Sequence, residues 1–280
     1  MRVDRLVRRV VPSLAHLTYN PLFKYAVNAC DVVPRLIFSE LTTLPPNHLR
    51  IRIGADNRIF ANGLSFLVWP ITFWTHFLQS GLCRFDSTIV DIGCGCGRYA
   101  RFMRDYQYKS QRFTGHYVGI DIDPEMLAWC HRHFDAERFE FHQSTHASRA
   151  YRAQGGRDPT HYELPVADGT ADFVFSGSLF SHLLENELVD YCRESFRVLK
   201  SGGIAAMYFF SLDRPPPGYG DRHTFGFQIG NAHVESLAIP EAAVAYRENF
   251  LLSIARDAGF RTAEVQAAPG DVQPILVCLK

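Results

Sequence analysis

Thr88-Ile89-Val90-Asp91-Ile92-Gly93-Cys94-Gly95-Cys96-Gly97-Arg98-Tyr99 is the stretch on which the reading of this 280-residue chain turns. Ile89, Val90 and Ile92 are β-branched and apolar, as a strand covered on both faces requires. Three glycines follow at alternate positions. Glycine tolerates φ > 0 and leaves no Cβ between backbone and ligand. Gly97 leads into a helix start, where unpaired N–H groups and the helix dipole favour electron-rich ligand groups. Strand, glycine turn and helix describe either a nucleotide cradle or a merely tight connection. The residues downstream separate the two.

Tyr117-Val118-Gly119-Ile120-Asp121-Ile122 reads as a second strand that ends in an acid, 24 residues beyond Gly97. A carboxylate at that place can accept both hydroxyl hydrogens of a ribose. Asp123 and Pro124 already supply the N-cap and first position of the next helix, which leaves Asp121 for the ligand. The turn is GxGxG behind the acid Asp91, not GxGxxG, and this points away from a nicotinamide enzyme.

From Phe85 onward strands and helices alternate, the mark of an α/β domain. Further strands are expected at Phe139 to His142, Ala171 to Ser176 and Ile204 to Phe210. Leu188, Cys192, Phe196 and Leu199 predict an amphipathic helix over 186–199, ended by Ser201-Gly202-Gly203. Pro240-Glu241 is expected to start a last helix with Ala243, Tyr246, Phe250 and Ile254 on one face. Thr262 to Ala267 and Pro274 to Leu279 read as a hairpin-like closing pair, so one strand there is antiparallel. Residues 211–236 read as a lid insertion.

Ahead of this domain, residues 1–84 read as a helical extension or cap. Pro45 to Gly54 is expected to be a turn and an extended segment with Arg50 and Arg52 on one face. From Ile59 to Cys83 there is no Asp, Glu, Lys or Arg, yet Asn62, Gly63, Pro70, His76 and Gln79 interrupt the run. A buried helix pair, kinked near Pro70, fits this stretch better than a membrane span. The first residues carry Arg2, Arg5, Arg8 and Arg9 among Val3, Leu6, Val7, Val10 and Val11. No signal peptide is read there. A frayed or docked helix is the simpler reading, and peripheral contact with a membrane surface is the alternative.

Lys+Arg and Asp+Glu both number 29, which argues against electrostatically driven nucleic-acid binding. Seven widely spaced cysteines speak for a reducing compartment, hence the cytoplasm, and not for a disulfide scaffold. Cys94 and Cys96 have no evident companions for a metal site and read as small side chains in a crowded turn.

The chain resembles class I S-adenosylmethionine-dependent methyltransferases. Val90 to Arg98 is similar to their first motif and Gly119 to Asp123 to their second. Leu164-Pro165-Val166-Ala167-Asp168-Gly169-Thr170-Ala171-Asp172-Phe173-Val174-Phe175-Ser176 is similar to their LPFPDGSFDVVFS segment, and Arg197 to Gly203 to their RVLKPGG turn. Pro45 to Gly54 is also similar to a subgroup of bacterial methyltransferases associated with glycan or secondary-metabolite pathways.

The resemblance implies a Rossmann-like, doubly wound seven-stranded α/β sheet with an antiparallel closing strand over residues 85–280. It implies S-adenosyl-L-methionine as cofactor and S-adenosyl-L-homocysteine as product. Asp91 would sit near the methionine end, with Gly93, Cys94 and Gly95 letting the backbone approach. Asp121 would take the ribose and Ile122 would pack on the adenine. Gln143 stands where relatives often place an acid for the adenine amino group. Ser176, after the fourth strand, would line the transfer cleft.

The expected acceptor is a small molecule or glycan, methylated at a hydroxyl. Alternatives are N- or C-methylation, aminopropyl transfer and a SAM-binding protein without catalysis. His182, just past the fourth strand, is either a general base or a packing histidine. His223 and His233 are weaker candidates. The stretch after the fourth strand lacks the acids that metal-dependent relatives and polyamine sites carry, so no metal is expected. Trp69, Trp74, Tyr219, Phe225 and Phe227 divide between a possible acceptor wall and the core.

Overall fold

The strand β1 (Thr88–Ile92) lies inside the main sheet, hydrogen-bonded on both sides, as its apolar run requires. A computed structural model describes residues 17–53, 62–144, 163–177, 179–214, 223–268 and 273–280. A short hairpin of β2 (Gln107–Tyr108) and β3 (Gln111–Arg112) follows the helix Arg98–Asp105. The main sheet resumes with β4 (His116–Asp121), β5 (Phe139–Gln143), β6 (Ala171–Ser176) and β7 (Leu199–Tyr208). A smaller four-stranded sheet joins β8 (Phe210–Ser211), β9 (Phe227–Ile229), β10 (Ala232–Val234) and β11 (Val244–Tyr246). β12 (Thr262–Gln266) and β13 (Ile275–Leu279) complete the main sheet, in the order β12-β13-β7-β6-β1-β4-β5. β13 is antiparallel to both of its neighbours, and the β1, β4, β5, β6 and β7 pairings are parallel. This is the Rossmann-like, doubly wound α/β sheet that the sequence led us to expect.

Alternation along each strand feeds two cores, one on each face. Val90, Ile92, Val118, Ile120 and Val174 pack with Leu188 and Cys192 of the helix Glu185–Val198. Ile89, Tyr117, Phe173 and Phe175 pack with Phe73, Trp74 and Phe77 of the helix Asn62–Gln79. Trp74 is fully buried and donates Nε1–H to the Tyr99 carbonyl at 3.0 Å. Burying one such aromatic is worth about 2–3 kcal/mol. The extension is therefore part of the core.

Several local expectations differ from the structure. Residues Asn47–Ile51 form a short helix in place of an extended segment, and both Arg50 and Arg52 are buried. Residues Asn62–Gln79 are one helix with Pro70 inside it, not a helix pair, and Leu64 and Val68 are exposed. The helix Glu185–Val198 runs straight into β7, and Gly202, at φ +81°, lies within that strand. Ala243 and Tyr246 belong to β11 and its approach; the helix there is Glu248–Asp257. In each case the local pattern was satisfied by a partner distant in sequence. Tyr246, for example, donates to the Leu183 carbonyl at 2.9 Å. Within 211–236, residues 215–222 lie outside the described residues, and 227–234 contribute a hairpin to the smaller sheet. Among the described residues, no helix is long and apolar enough to cross a membrane.

Candidate functional site

The strand order reverses between β1 and β6: the chain moves outward one way through β4 and β5, then the other way through β7. The crevice beyond the carboxyl ends at such a switch is where doubly wound sheets bind ligands. The glycine turn, Asp121, Ser176 and His182 all follow the carboxyl ends of β1, β4 or β6.

The turn is built by its glycines. Gly93 has φ +84° and Gly95 has φ +56°, conformations that strain any residue with a Cβ. Both Gly93 N–H and Cys94 N–H donate to the Ile120 carbonyl, at 2.8 and 3.0 Å, which ties the turn to the end of β4. A Cβ on Gly93 would lie 3.4 Å from Leu179 Cβ, and one on Gly95 would lie 3.2 Å from Ile53 of the extension. The turn thus touches both the segment after β6 and the N-terminal helices. Cys94 and Cys96 are buried, and burial pushes both thiols up. No group of three or more His, Cys, Asp or Glu able to hold a metal occurs among the described residues.

Asp91 is completely buried beneath this turn. Gly119 lies opposite it on β4, and Tyr117, two residues earlier, donates its hydroxyl to Asp91 Oδ2 at 2.6 Å. Asp91 Oδ1 has no partner among the described residues. Burial raises this carboxyl to about 7 against the opposing Tyr117 hydrogen bond. Arg98 stands near enough to favour the ionised form. Its guanidinium lies 5.7 Å from the Trp69 ring centre and 5.1 Å from that of Tyr99, and its buried Nε lacks a partner among the described residues.

Asp121 closes the other end of the turn. Oδ2 accepts from Gly95 N–H at 2.7 Å and Oδ1 from Asp123 N–H at 2.9 Å. Burial raises its carboxyl to about 6, opposed by these two hydrogen bonds. It therefore shapes the loop as well, although Asp123 caps the helix Pro124–His133 as expected. A carboxylate has about four acceptor sites, so two backbone donors leave it capacity for a diol. Ile122 follows at the rim, and Gln143 at the end of β5 reaches its carbonyl at 3.4 Å.

Ser176 is fully buried, and its Oγ accepts from Leu179 N–H at 3.1 Å. It holds the turn Leu179–His182 against the end of β6. His182 closes that turn, with Nδ1 2.8 Å from the Glu241 carbonyl. A carbonyl only accepts, so Nδ1 carries the proton and Nε2 the lone pair of the neutral ring. Burial lowers the pKa of His182 and keeps the ring neutral. Of the aromatic residues considered for the acceptor wall, Trp74 and Phe225 are core and Phe227 is exposed. Tyr219 lies outside the described residues.

Sequence reading missed Tyr117 and Arg98 as members of this site. The signal for Tyr117 was a polar tip inside an otherwise apolar strand. It also missed a clamp beside the site. Arg52 donates to Asp123 Oδ2 and Glu125 Oε2, both at 2.8 Å, and lies 4.0 Å from the Tyr19 ring centre. Lys24 donates to Glu125 at 2.7 Å and His48 Nε2 lies 3.1 Å from it.

Residues 90–207 match the family model described as a methyltransferase domain. The chain is an S-adenosylmethionine-dependent methyltransferase. The matched span runs from β1 to β7 and contains the crevice described above. Among solved structures, the apo S-adenosylmethionine-dependent methyltransferase SibL is 16% identical with a TM-score of 0.52, covering 90% of this chain and 69% of that one. A SAM-dependent methyltransferase from Aquifex aeolicus is 19% identical with a TM-score of 0.47, covering 76% of this chain and 90% of that one. At such identities the likeness to SibL is one of fold. The cofactor of this methyltransferase is S-adenosylmethionine. The residues present fit it: a buried carboxylate oxygen with no partner among the described residues suits an ammonium.

Proposed function

We propose that this methyltransferase acts on a hydroxyl of a small-molecule or glycan acceptor, in a reducing, cytoplasmic setting consistent with its seven free cysteines. The observation that carries the assignment of the cofactor site is Asp91 Oδ1, buried beneath the glycine turn with no partner among the described residues. An ammonium at that oxygen would satisfy it, and Arg98 beside it would take the carboxylate of the same amino acid. Gly93, Cys94 and Gly95 leave room for the ligand backbone. Asp121 takes the ribose with its remaining acceptor capacity, Ile122 and Gln143 border the adenine, and Ser176 holds the turn that forms the far wall.

The bound cofactor supplies an electrophilic methyl group. The contribution of the chain is to align the acceptor oxygen and exclude water. His182 takes the hydroxyl proton at Nε2, the nitrogen left basic by the Nδ1–Glu241 contact. Burial keeps this ring neutral at physiological pH, as a base requires.

Two measurements test this reading. Mass spectrometry of products from a panel of hydroxylated acceptors should place the new methyl on oxygen; a methyl on nitrogen or carbon overturns the acceptor class. For His182→Ala, turnover should fall by about 10²–10⁴ with calorimetric affinity for S-adenosylhomocysteine kept. Unchanged turnover in that variant removes His182 from the mechanism.

A further inference from the structure

Asp91 lies on the aromatic face of the main sheet. It alternates with Ile89 along β1, so both point into the core that holds Tyr117, Phe173 and Phe175. Its neighbours across the sheet are Gly119 of β4, which has no side chain, and Phe175 of β6, which has no polar side-chain group. A carboxylate in such surroundings is driven toward its neutral form, and a neutral acid is a poor partner for an ammonium.

Tyr117 opposes this drift. Two residues before Gly119, it stands diagonal to Asp91, a spacing that a long aromatic side chain spans. Its hydroxyl donates to Oδ2 at 2.6 Å, while Oδ1 has no partner among the described residues. A hydrogen bond of this kind favours the anion and leaves the other oxygen to the ligand. Tyr117 is itself fully buried, and burial beside Asp91 pushes its phenol up, so it remains a donor. The other titratable or charged groups that face Asp91 are Asp121 on β4, Arg98 and Tyr99 on the helix Arg98–Asp105, Cys94 in the turn and Cys130 on the helix Pro124–His133. Asp121 opposes ionisation of Asp91 and Arg98 favours it. Burial pushes Tyr99 and both thiols up, so these stay neutral. We infer that Tyr117 is a positioning residue for cofactor binding: its hydroxyl holds the Asp91 carboxylate ionised and turned so that Oδ1 meets the ligand ammonium. Cofactor uptake then drives the proton of a neutral Asp91 into solvent. The inference rests on the reading of Asp91 as the ammonium site.

The test is calorimetry of S-adenosylhomocysteine binding to the whole chain at pH 6 and pH 8. Burial raises Asp91 to about 7, so wild-type affinity should rise about tenfold or more between the two. Comparing each variant with wild type at the same pH cancels titration of the ligand. Tyr117→Phe keeps the ring and loses the donor. Its deficit should be about tenfold at pH 6 and shrink to about twofold at pH 8. Asp91→Asn should bind weakly at both values. At pH 6 it should also release about one proton fewer per ligand than wild type, read from the heat in buffers of different ionisation enthalpy. Three results overturn the inference: a Tyr117→Phe deficit equal at both pH values, which is the mark of packing alone; no deficit; and equal proton release by wild type and Asp91→Asn. Wild-type affinity in Asp91→Asn is a different failure. It would remove Asp91 as the ammonium site, and the inference would fall with that reading.

Discussion

Two carboxylates on neighbouring elements have opposite surroundings. Asp91, under the glycine turn, has one hydrogen bond, a free buried oxygen among the described residues and a pKa raised to about 7. Glu125, in the first turn of the next helix, receives Lys24, Arg52 and His48. Partial burial acts to raise it, but the hydrogen bonds from Lys24 and Arg52 outweigh burial and hold it down to about 2. One region is left electrostatically incomplete and the other is fully paired. An incomplete buried site costs stability until a ligand completes it, whereas a paired clamp fixes structure. This contrast separates the residues proposed to meet the cofactor from those that hold the extension in place.

The clamp should be the more sensitive to loss of a partner. Arg52→Met leaves Asp123 and Glu125 without their guanidinium, and removal of one member of a buried pair costs about 3–5 kcal/mol. Urea unfolding measures this. A loss under about 1 kcal/mol would place the clamp among ordinary surface ion pairs and break the contrast.

The turn should respond to pH in the opposite sense. A carboxyl raised in the folded state contributes stability below its unfolded value, and that contribution is lost as pH rises through the folded one. For Asp91 the window runs from 3.8 to about 7. For Glu125 the contribution is present above 4.5 and lost as pH falls toward about 2. Each pH unit is worth ~1.4 kcal/mol, so the Asp91 shift corresponds to no more than about 4 kcal/mol. Relative to wild type, Asp91→Asn should be equally stable at pH 4, more stable at pH 8, and weaker for S-adenosylhomocysteine. Calorimetric scans at both pH values check this, and a difference that does not change with pH would remove Asp91 as an unpaired buried acid.

The smallest of the three effects sharpens the backbone side of the contrast. Gly97 has φ +79°, and a Cβ there would lie 2.8 Å from the Phe134 ring. Gly97→Ala should cost about 2 kcal/mol from left-handed strain and overpacking. Thermal unfolding would show this, and an unchanged Tm would mean that the turn tolerates ordinary residues.

The sequence by itself determined the main sheet and the turn within it. β1, β4 and β6 lie within a residue of their expected places, because a doubly covered strand needs consecutive apolar residues and a left-handed turn needs glycine. These requirements are local, so they are written where they act. Only the tertiary structure decided what Arg50 and Arg52 do. Their partners, Asp31, Asp123 and Glu125, lie 19, 71 and 73 residues away, and no periodicity records such a distance. The same holds for Tyr117 beneath Asp91 and for the Glu241 carbonyl that fixes the His182 tautomer. A charged or apolar residue gives its chemistry in the sequence, but which way it turns depends on what the fold brings beside it.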